Sequence, residues 1–511
     1  MDHDGPVARP NVLFITVDQW RAECLSAADH PIVKTPNIDR LAAGGVRFTR
    51  HFANCSPCGP SRASLLTGQY LMNHRSGLNG TPLDDRFTNV AREARALGYD
   101  PVLFGYTDTS LDPRPFNDLK HPLLRSYEGV LPGFTEGLTM PEPFTPWLEF
   151  LRAHGNQFGD HVEAAFDPDP SYDADGHGST WAPAIFPAEH SISAFLTDAL
   201  LDHLRQADTG WFIHVSYLRP HPPWRATREY HDRYDPADVL PPHRLDTVDD
   251  EAARHPFLAG ALSLDFVRAP ADELEQRQQA ATYYALMNEV DDQIGRVLDW
   301  LESTGHVDDT LILLTCDHGE QLGDHWLTQK LGWFDESYRI PLVVRDPRPE
   351  AAATRGTTID AFTENVDVMP TLLDWMGVDP LPLQCDGRSL LPFIRADPPA
   401  DWRDEVRWEF DFRIPQLLPH PLGMRMDQAI LAVVRTAERK YVHFPTLPIV
   451  LEDLTNDPHE LCDVSTDARY RDDLLAMKDR MLNWRIEYAE RTLGGMMLTA
   501  DGVFEGRDWP R

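Results

Sequence analysis

The sequence predicts an α/β fold in which a large, mostly parallel β-sheet is sandwiched by helices, with a smaller antiparallel sheet subdomain at the C-terminus. Three observations support this prediction. Short, continuously apolar runs indicate strands buried on both faces, as in parallel sheets. Helical patterns alternate with these runs along most of the chain, which is the order expected of a parallel α/β sheet. After about residue 395 this alternation gives way to short strand-like runs and one helix.

The predicted elements follow in chain order. The first strand spans residues 11–17 (NVLFITV), and a helix then opens at Thr35-Pro36, with Thr35 as its N-cap. Further strands are expected at residues 102–105, 211–217 and 310–315, and further helices at residues 191–204 and 272–302. Beyond the change of pattern we expect strands at residues 405–410, 429–435 and 440–444, and a helix from about 467 to 491.

These elements predict three parts of the chain. Residues 1–395 form the main α/β domain, residues 396–492 the small antiparallel sheet with its helix, and residues 493–511 a C-terminal arm. The arm contains Met496, Met497 and Phe504 but has no obvious core of its own to join. We therefore expect it to help build a homo-oligomer, a dimer or a tetramer; the alternative is an arm packed on its own domain.

The charge excludes some classes of partner. The formal net charge is −34, so the field of the protein repels nucleic acid and anionic membrane surfaces. A small anionic substrate could still bind if a few cationic side chains make the potential at its binding site positive. The simpler interpretation of the charge is a well-solvated surface.

The compartment is predicted from apolar runs and cysteines. The first apolar run is too short for a signal peptide and follows acidic residues, and no stretch reaches the length of a membrane span. Six cysteines spread over 511 residues do not form a disulfide framework. The expected location is therefore the cytoplasm.

The strongest chemical signal is the block CGPSRASLLTG, which begins at Cys58. A nucleophile at the N-terminus of a helix faces free backbone N–H groups and the positive end of the helix dipole, which suits an anionic reacting group. Arg62 would offer fixed donors to the same anion. The alternative is a buried cysteine in a loop before a helix.

A second signal is a set of polar residues at two predicted strand ends. Asp18 and Gln19 follow the first strand, and Asp317 and His318 follow the strand at 310–315. Because sites in parallel sheets lie beyond the carboxyl ends of the strands, these residues could converge. Two carboxylates, an amide oxygen and an imidazole suit one divalent cation, Mn²⁺ in preference to Ca²⁺, Mg²⁺ or Zn²⁺. Taken separately, each pair could be a simple turn.

Further candidates could act on a substrate. His221 lies between prolines and Lys330 follows a polar run, and either could protonate a leaving oxygen or bind an anion. Tyr106 and Asp108 follow another strand end, and Asn79 lies in a glycine-rich turn. The alternatives are a surface loop for His221 and a turn for Asn79.

Taken in order, these motifs resemble the sulfatase family of the alkaline phosphatase superfamily. The resemblance covers most of the chain: NVLFITVDQWR, TPNIDRLAAGGVRF, CGPSRASLLTG, VDDQIGRVLDWLE, LILLTCDHGEQLGDH, NVDVMPTLLDWMG and LEDLTNDPHEL. It implies an alkaline-phosphatase-like fold. It also implies that Cys58 is oxidised to formylglycine by a formylglycine-generating enzyme. The hydrate of that group supplies the nucleophilic oxygen, which joins Asp18, Gln19, Asp317 and His318 around one metal ion.

Two departures from the common sulfatase pattern indicate a branch of the family. Gln19 stands where most sulfatases have a second aspartate, and Tyr106 and Asp108 replace a lysine and a histidine. Both departures, with GYTDTSLDPR, SYLRPHPPW and LGWFDESYRIPL, are similar to the phosphonate monoester hydrolases, although that branch tends to have a neutral hydroxyl residue where this chain has Asp108. This similarity implies hydrolysis of monoanionic esters: phosphonate monoesters, phosphodiesters and aryl sulfates. It places Asn79, Tyr106, His221 and Lys330 at binding or acid positions.

Two other functions are compatible with this fold. A two-metal phosphatase or phosphodiesterase of the same superfamily would need a Ser or Thr nucleophile and a second set of His and Asp ligands, and Cys58 argues against it. A catalytically silent binding protein would not need the intact nucleophile, ligands and cations.

Overall fold

The computed structural model describes residues 9–159, 161–413, 422–490 and 492–505. Its strands, in chain order, are β1 Asn11–Asp18, β2 Val46–Phe52, β3 Cys55–Ser56, β4 Pro101–Gly105, β5 Thr135–Thr139, β6 Phe212–Pro220, β7 Thr310–Cys316, β8 Arg339–Arg345, β9 Thr357–Glu364, β10 Glu405–Asp411, β11 Ile430–Thr436, β12 Arg439–His443, β13 Val450–Asp453, β14 Met496–Thr499 and β15 Gly502–Glu505. Its α-helices are α1 Pro36–Gly44, α2 Cys58–Thr67, α3 Leu71–His74, α4 Val90–Ala96, α5 Thr145–Ala153, α6 Ile192–Leu204, α7 Val248–Arg254, α8 Pro256–Leu262, α9 Glu273–Thr304, α10 Asp335–Tyr338, α11 Val368–Trp375, α12 Leu391–Ile394 and α13 Arg471–Glu487.

The main sheet has eight strands in the order β5-β4-β6-β1-β7-β8-β2-β9. Strand β8 runs antiparallel to both of its neighbours, and the other neighbouring pairs in this sheet are parallel. The predicted fold class, a mostly parallel sheet between helices, is confirmed. Strand β8, which runs antiparallel, was not among the predicted strands.

The main sheet is buried on both faces because successive side chains of a strand point to opposite sides. In β1, Leu13, Ile15 and Val17 belong to one apolar cluster, and Val12 and Phe14 belong to the other. Full burial of an aliphatic or aromatic side chain stabilises a fold by roughly 1.5–3 kcal/mol. The continuous apolar character of β1 therefore reflects two cores at once.

Helix α9 is the longest helix and covers the first of these cores through α1, α6 and β6. Gly305 ends it in the left-handed conformation. Within the described residues, no helix combines the length and the apolar character needed to cross a membrane.

The smaller sheet has the strand order β13-β12-β11-β10-β3. Strands β10 to β12 are the three predicted strands of the small antiparallel sheet, and β13, which was not predicted, extends it. Trp484 of α13 packs behind these strands with Tyr70. Strand β3, which comes from the main part of the chain, pairs in parallel with β10. The domain boundaries at residues 395 and 492 stay predictions.

The predicted N-cap position of the first helix is confirmed, but its side chain does not act as a cap. Helix α1 does follow Thr35, but the Thr35 side chain makes no capping hydrogen bond. Instead, the backbone N–H groups of Asn37 and Ile38 donate to the carboxylate of Asp291 in α9, over 3.1 and 2.8 Å. The carboxylate of Asp291 thus takes the place of the Thr35 hydroxyl as acceptor. Because Asp291 is far away in sequence, the residues around Thr35 do not indicate this contact.

The C-terminal arm contains a two-stranded hairpin, β14 and β15, whose apolar side chains face solvent. Met497 is 53% exposed and Leu498 is 84% exposed. Residues 506–511 lie outside the described part of the chain. The role of the arm in a homo-oligomer stays a prediction.

Candidate functional site

The site lies where the neighbouring strands β1 and β7 end. Val17 pairs with Cys316, so Asp18 and Asp317 come side by side at the carboxyl edge of the sheet. The backbone N–H of Gln19 donates to Oδ1 of Asp317 over 3.2 Å, which joins the two strand ends. The structure thus brings the two predicted strand ends to one place.

Helix α2 begins at Cys58 and delivers this residue to the same edge. The Sγ atom lies 3.1 Å from Nε2 of His318 and 3.9 Å from Oδ1 of Asp18. The next residue is Gly59, whose backbone N–H donates to Oδ1 of Asn79 over 2.9 Å. A Cβ atom on Gly59 would lie 3.0 Å from that oxygen, so the close approach favours glycine. Burial and the charge of Asp18 raise the pKa of the Cys58 thiol well above its ordinary value.

Four buried side chains present their ligand atoms within 4.8 Å of one another: Asp18, Cys58, Asp317 and His318. The Nδ1 atom of His318 lies 3.0 Å from the carbonyl oxygen of Gly319, so a proton on Nδ1 leaves the Nε2 lone pair facing the cluster. Burial and the charge of Lys330 lower the pKa of His318 to about 3, so the imidazole stays neutral at pH 7. A neutral imidazole is the form that binds metal.

The two carboxylates of this cluster repel each other. Burial and the charge of Asp18 raise the pKa of Asp317 to about 7. Burial alone would raise the pKa of Asp18 as well, but the surrounding His221, His318 and cationic side chains lower it below its ordinary value. A divalent cation between the carboxylates would offset their repulsion. The donor set and its charge therefore fit a metal ion.

Arg62 is fully buried and holds both carboxylates in place. Its Nε donates to Oδ2 of Asp317 over 2.9 Å, and its Nη2 donates to Oδ2 of Asp18 over 3.3 Å. Its Nη1 donates to Oγ of Ser216 over 2.6 Å and to the carbonyl oxygen of Tyr106 over 3.1 Å. These bonds engage four of the five guanidinium N–H groups, so one N–H is left for a substrate anion, and the role of Arg62 in binding that anion stays a prediction.

Gln19 is oriented by partners on both ends of its amide. Its Nε2 donates to Oε2 of Glu320, and a further contact of 3.5 Å reaches Oε1 of Gln329. Its Oε1 accepts a hydrogen bond of 2.7 Å from Nζ of Lys330. The amide oxygen therefore faces the cationic side of the site, as a metal ligand or a lysine acceptor requires.

Tyr106 and Asp108 close another wall of the site. The Tyr106 hydroxyl donates to Oδ2 of Asp18 over 2.6 Å, and the ring lies beneath Arg62, 4.2 Å from its Cζ. Asp108 has a positive φ of 49°, and its Oδ2 lies 3.8 Å from Nε of Arg62. Its Oδ1 is buried without a hydrogen-bond partner among the described residues. Burial raises the pKa of Asp108 well above its ordinary value.

His221 and Lys330 differ in how they hold protons. Nδ1 of His221 lies 2.6 Å from the carbonyl oxygen of Pro222, and burial and the charge of Lys330 lower the pKa of His221 to about 3. Burial also disfavours the ammonium of Lys330, but the charges of Cys58, Asp18 and the other nearby acids raise its pKa. At neutral pH, Lys330 is the protonated member of the pair.

Sequence reasoning missed Glu320, Gln329 and Ser216, which hold predicted site residues by hydrogen bonds. The only local signal was for Glu320, because it follows the Asp317-His318-Gly319 run directly. Ser216 lies inside a strand and Gln329 inside a loop, so their partners depend on the tertiary fold.

The chain matches known families along most of its length. A family model described as sulfatase matches residues 10–378, and one described as the C-terminal part of N-sulphoglucosamine sulphohydrolase matches residues 323–487. The chain is 40% identical over 510 residues to the multifunctional alkaline phosphatase superfamily protein PehA of Trinickia caryophylli, which covers 95% of this chain and 97% of that protein. It is 25% identical to an arylsulfatase of Clostridium perfringens, over 91% of this chain and 92% of the relative.

A solved structure gives the same result for the fold. The phosphonate monoester hydrolase of Agrobacterium radiobacter superposes with a TM-score of 0.91 at 40% identity, over 97% of this chain and 99% of that one.

Proposed function

This chain belongs to the sulfatase family of hydrolases, and we propose that it cleaves monoanionic esters with a nucleophile made from Cys58 by oxidation to formylglycine. The ester classes are phosphonate monoesters, phosphodiesters and aryl sulfates. The relatives described as phosphonate monoester hydrolase and arylsulfatase support the first and the last of these classes. The position of Cys58 is the observation on which the proposal rests. Cys58 is the first residue of helix α2, and its Sγ atom lies 3.1 Å from Nε2 of His318, a proposed metal ligand.

The metal would be held by the side chains of Asp18, Gln19, Asp317 and His318 and by an oxygen of the modified residue 58. Mn²⁺ suits this mix of oxygen and nitrogen ligands. When bound, such an ion lowers the pKa of a coordinated hydroxyl group and stabilises charge on the group that is transferred. The amide of Gln19 contributes an oxygen without a third negative charge.

The chain's own residues would arrange the reaction in three ways. Arg62 holds the two carboxylates at fixed positions, so the ligands are organised before a substrate arrives. The side-chain oxygen of Asn79 accepts a hydrogen bond from the backbone N–H of Gly59, which holds Asn79 at the start of α2. We propose that Asn79 contacts the substrate there. Lys330 brings a buried positive charge and a proton close to the leaving oxygen. His221 is neutral at pH 7 and directs Nδ1–H to the Pro222 carbonyl, so it would donate to the ester only when Nε2 is protonated, which developing negative charge on the substrate favours.

Charge sets the expected order of substrates. Tyr106 and Asp108 replace the cations of other sulfatases, and four of the N–H donors of Arg62 are used within the protein. The proposed monoanionic esters carry one negative charge, whereas a phosphate monoester carries nearly two at neutral pH. One uncompensated charge in a partly desolvated pocket costs about 2–4 kcal/mol, or roughly one and a half to three decades in rate. We therefore expect kcat/KM for the phosphate monoester to be the lowest of the four.

Maturation and assembly belong to the same proposal. Conversion of Cys58 requires a formylglycine-generating enzyme as a transient partner. The six cysteines are all free, which is compatible with the predicted cytoplasmic location. The exposed hairpin β14–β15 supports the expectation of a homo-oligomer.

The two-metal phosphatase requires a second set of ligands at the same site. Within the described ranges, one other group of side chains could hold a metal ion, namely His325, Glu336 and Glu460, and it shares no residue with the site. Nothing in the geometry therefore favours that alternative. The silent binding protein is set aside because the chain is a sulfatase-family hydrolase.

The decisive experiment is peptide mass spectrometry of residue 58 in active protein, combined with a panel of the four ester classes. We expect an aldehyde or its hydrate at residue 58, and loss of several orders of magnitude in rate for Cys58→Ala. Active protein that carries only unmodified cysteine at residue 58 would contradict the proposed formylglycine nucleophile. A phosphate monoester as the best substrate would overturn the charge argument while leaving the nucleophile intact.

A further inference from the structure

A second group of metal-type side chains lies outside the catalytic site. His325, Glu336 and Glu460 each present one ligand atom, and these atoms lie within 4.8 Å of one another. His325 follows Gly323 in a turn after β7, Glu336 is in α10, and Glu460 lies between β13 and α13. We propose that these three residues bind a second divalent cation, of the Zn²⁺ class, which ties the C-terminal segment to the loop that carries Lys330.

Unpaired buried atoms point to a ligand at this place. Within the described chain, Nε2 of His325 and Oε2 of Glu336 are buried without hydrogen-bond partners. An unsatisfied buried polar atom costs about 1–3 kcal/mol, so such atoms on two of the proposed ligands require an explanation, beside a third on Glu452. A cation bound to both would satisfy them together.

The surroundings of His325 match those of a metal-bound histidine. Its Nδ1 lies 3.3 Å from Oε1 of Glu251 and 3.3 Å from Nη1 of Arg254, which pairs with the same oxygen. The ring stacks on Phe334 with centroids 3.6 Å apart. A histidine that binds metal commonly donates its other ring N–H to a carboxylate, which fixes the tautomer and the ring orientation. Glu251 also pairs with Arg254, so it is itself held in place. Nε2 is the nitrogen left free for a ligand.

The charge of the cluster leaves room for a divalent ion. Four carboxylates meet there: Asp335, Glu336, Glu452 and Glu460. Two cations contact them directly. Lys440 pairs with Glu460 and lies 2.7 Å from Asp335 and 3.9 Å from Glu452, and Arg435 lies 3.0 Å from Asp335. When all four carboxylates are ionised, their negative charge exceeds the positive charge of these two cations by two, which is the charge of one divalent ion.

An imidazole with two carboxylates suits a borderline ion such as Zn²⁺ better than Ca²⁺, which prefers more oxygen ligands. Protonation is the competing way to neutralise the cluster, because burial raises the pKa of Glu460 above its ordinary value.

The cluster has a route to solvent. A cavity of about 400 Å³ is lined by Glu336, Arg21, Asp324, His243 and His459. His459 is the neighbour of Glu460 and stacks on His243 with ring centroids 3.4 Å apart. An ion could therefore enter after the chain has folded.

The site would also brace the catalytic loop. His325 and Glu336 bracket the segment that carries Gln329 and Lys330, both of which contact Gln19. A cation that fixes both ends of this segment to Glu460 would limit its movement. It would act as a positioning element for Lys330.

Zn²⁺ binding to the full-length protein tests the proposal. The parent is the Asp18→Asn/Asp317→Asn variant, which disables the catalytic ligands, after removal of metal with a chelator. We expect one Zn²⁺ per chain in this parent by elemental analysis after desalting, and a rise in Tm when Zn²⁺ is added. Glu336→Gln, which keeps the shape and removes the charge, should weaken Zn²⁺ binding at least tenfold and abolish the Tm rise. His325→Gln should do the same.

Glu452→Gln is the matched control, because it removes another buried carboxylate of the same cluster outside the three ligands. It should keep the Zn²⁺ and the Tm rise. Absence of Zn²⁺ from the parent, or equal binding in all variants, would overturn the proposal. So would a Zn²⁺-independent gain in Tm for Glu336→Gln, which would show that protons neutralise the cluster. If His325→Gln does not fold, Glu336→Gln decides alone.

Discussion

Replacement of Arg62 by lysine separates two roles for this residue. In the structure, its guanidinium bridges Asp18 and Asp317 and also reaches Ser216 and the Tyr106 carbonyl. Lysine keeps the positive charge but concentrates its donors at one point, so it cannot reach acceptors on opposite sides. We expect Arg62→Lys to loosen the two carboxylates rather than to remove a contact with substrate.

The magnitude follows from the contacts that are lost. Two buried acceptors left without donors cost about 1–3 kcal/mol each, so the free energy of unfolding should fall by about 2–6 kcal/mol. A change in residues that orient metal ligands commonly costs about tenfold to hundredfold in metal affinity. We therefore expect Mn²⁺ affinity to fall by one to two decades, and kcat/KM to recover in part at high Mn²⁺.

Chelator competition for Mn²⁺, thermal denaturation and kinetics at two Mn²⁺ concentrations measure these effects. Arg403→Lys is the matched control, because the buried side chain of Arg403 also bridges two carboxylates, Glu364 and Asp367, and neither belongs to the metal cluster. It should lose stability but keep the affinity for Mn²⁺. If Arg62→Lys loses rate while its Mn²⁺ affinity and stability stay those of the parent, Arg62 acts on the substrate and our interpretation is wrong.

Three other changes test the site and the arm. Asp108→His adds a potential cation next to Arg62 and should narrow the kcat/KM gap between a sulfate ester and the matching phosphate monoester; an unchanged gap would contradict the charge argument. Glu320→Gln should lower kcat/KM by about tenfold to hundredfold. Its amide has a single acceptor oxygen, whereas Glu320 accepts from Gln19 and from two backbone N–H groups; full activity would show that this orientation is dispensable. Deletion from Leu493 onward should lower the number of chains per particle in light scattering, and an unaltered number would remove the arm from the assembly.

The strand ends were predictable because their signal is local. A buried apolar run followed by Asp18, and another followed by Asp317, needed only the rule that parallel strands end at one edge. The start of a helix at Cys58 was equally local. These features rest on periodicity and spacing, which the sequence displays directly.

The contacts that orient the site were not predictable in the same way. Glu320 and Gln329 meet Gln19 from about three hundred residues away in sequence. Four of the five N–H donors of Arg62 are taken by partners from four different segments. Asp291 accepts the hydrogen bonds that the Thr35 side chain does not accept at the start of α1, for the same reason. Hydrogen-bond partners far apart in sequence become known only when the tertiary fold is known.

The pairing of β3 with β10 limits which segments can be exchanged between this protein and its relatives in a chimera. Cys55 lies opposite Glu409, and Ser56 lies opposite Phe410, only two residues before the start of α2. The hydroxyl of Ser56 also donates to the carbonyl oxygen of Lys330 over 2.9 Å. The small sheet is therefore not a detachable module, because its edge is built from the segment that leads to the reacting residue. A chimera that exchanges the C-terminal region between relatives would reposition residue 58 even with every catalytic side chain unchanged.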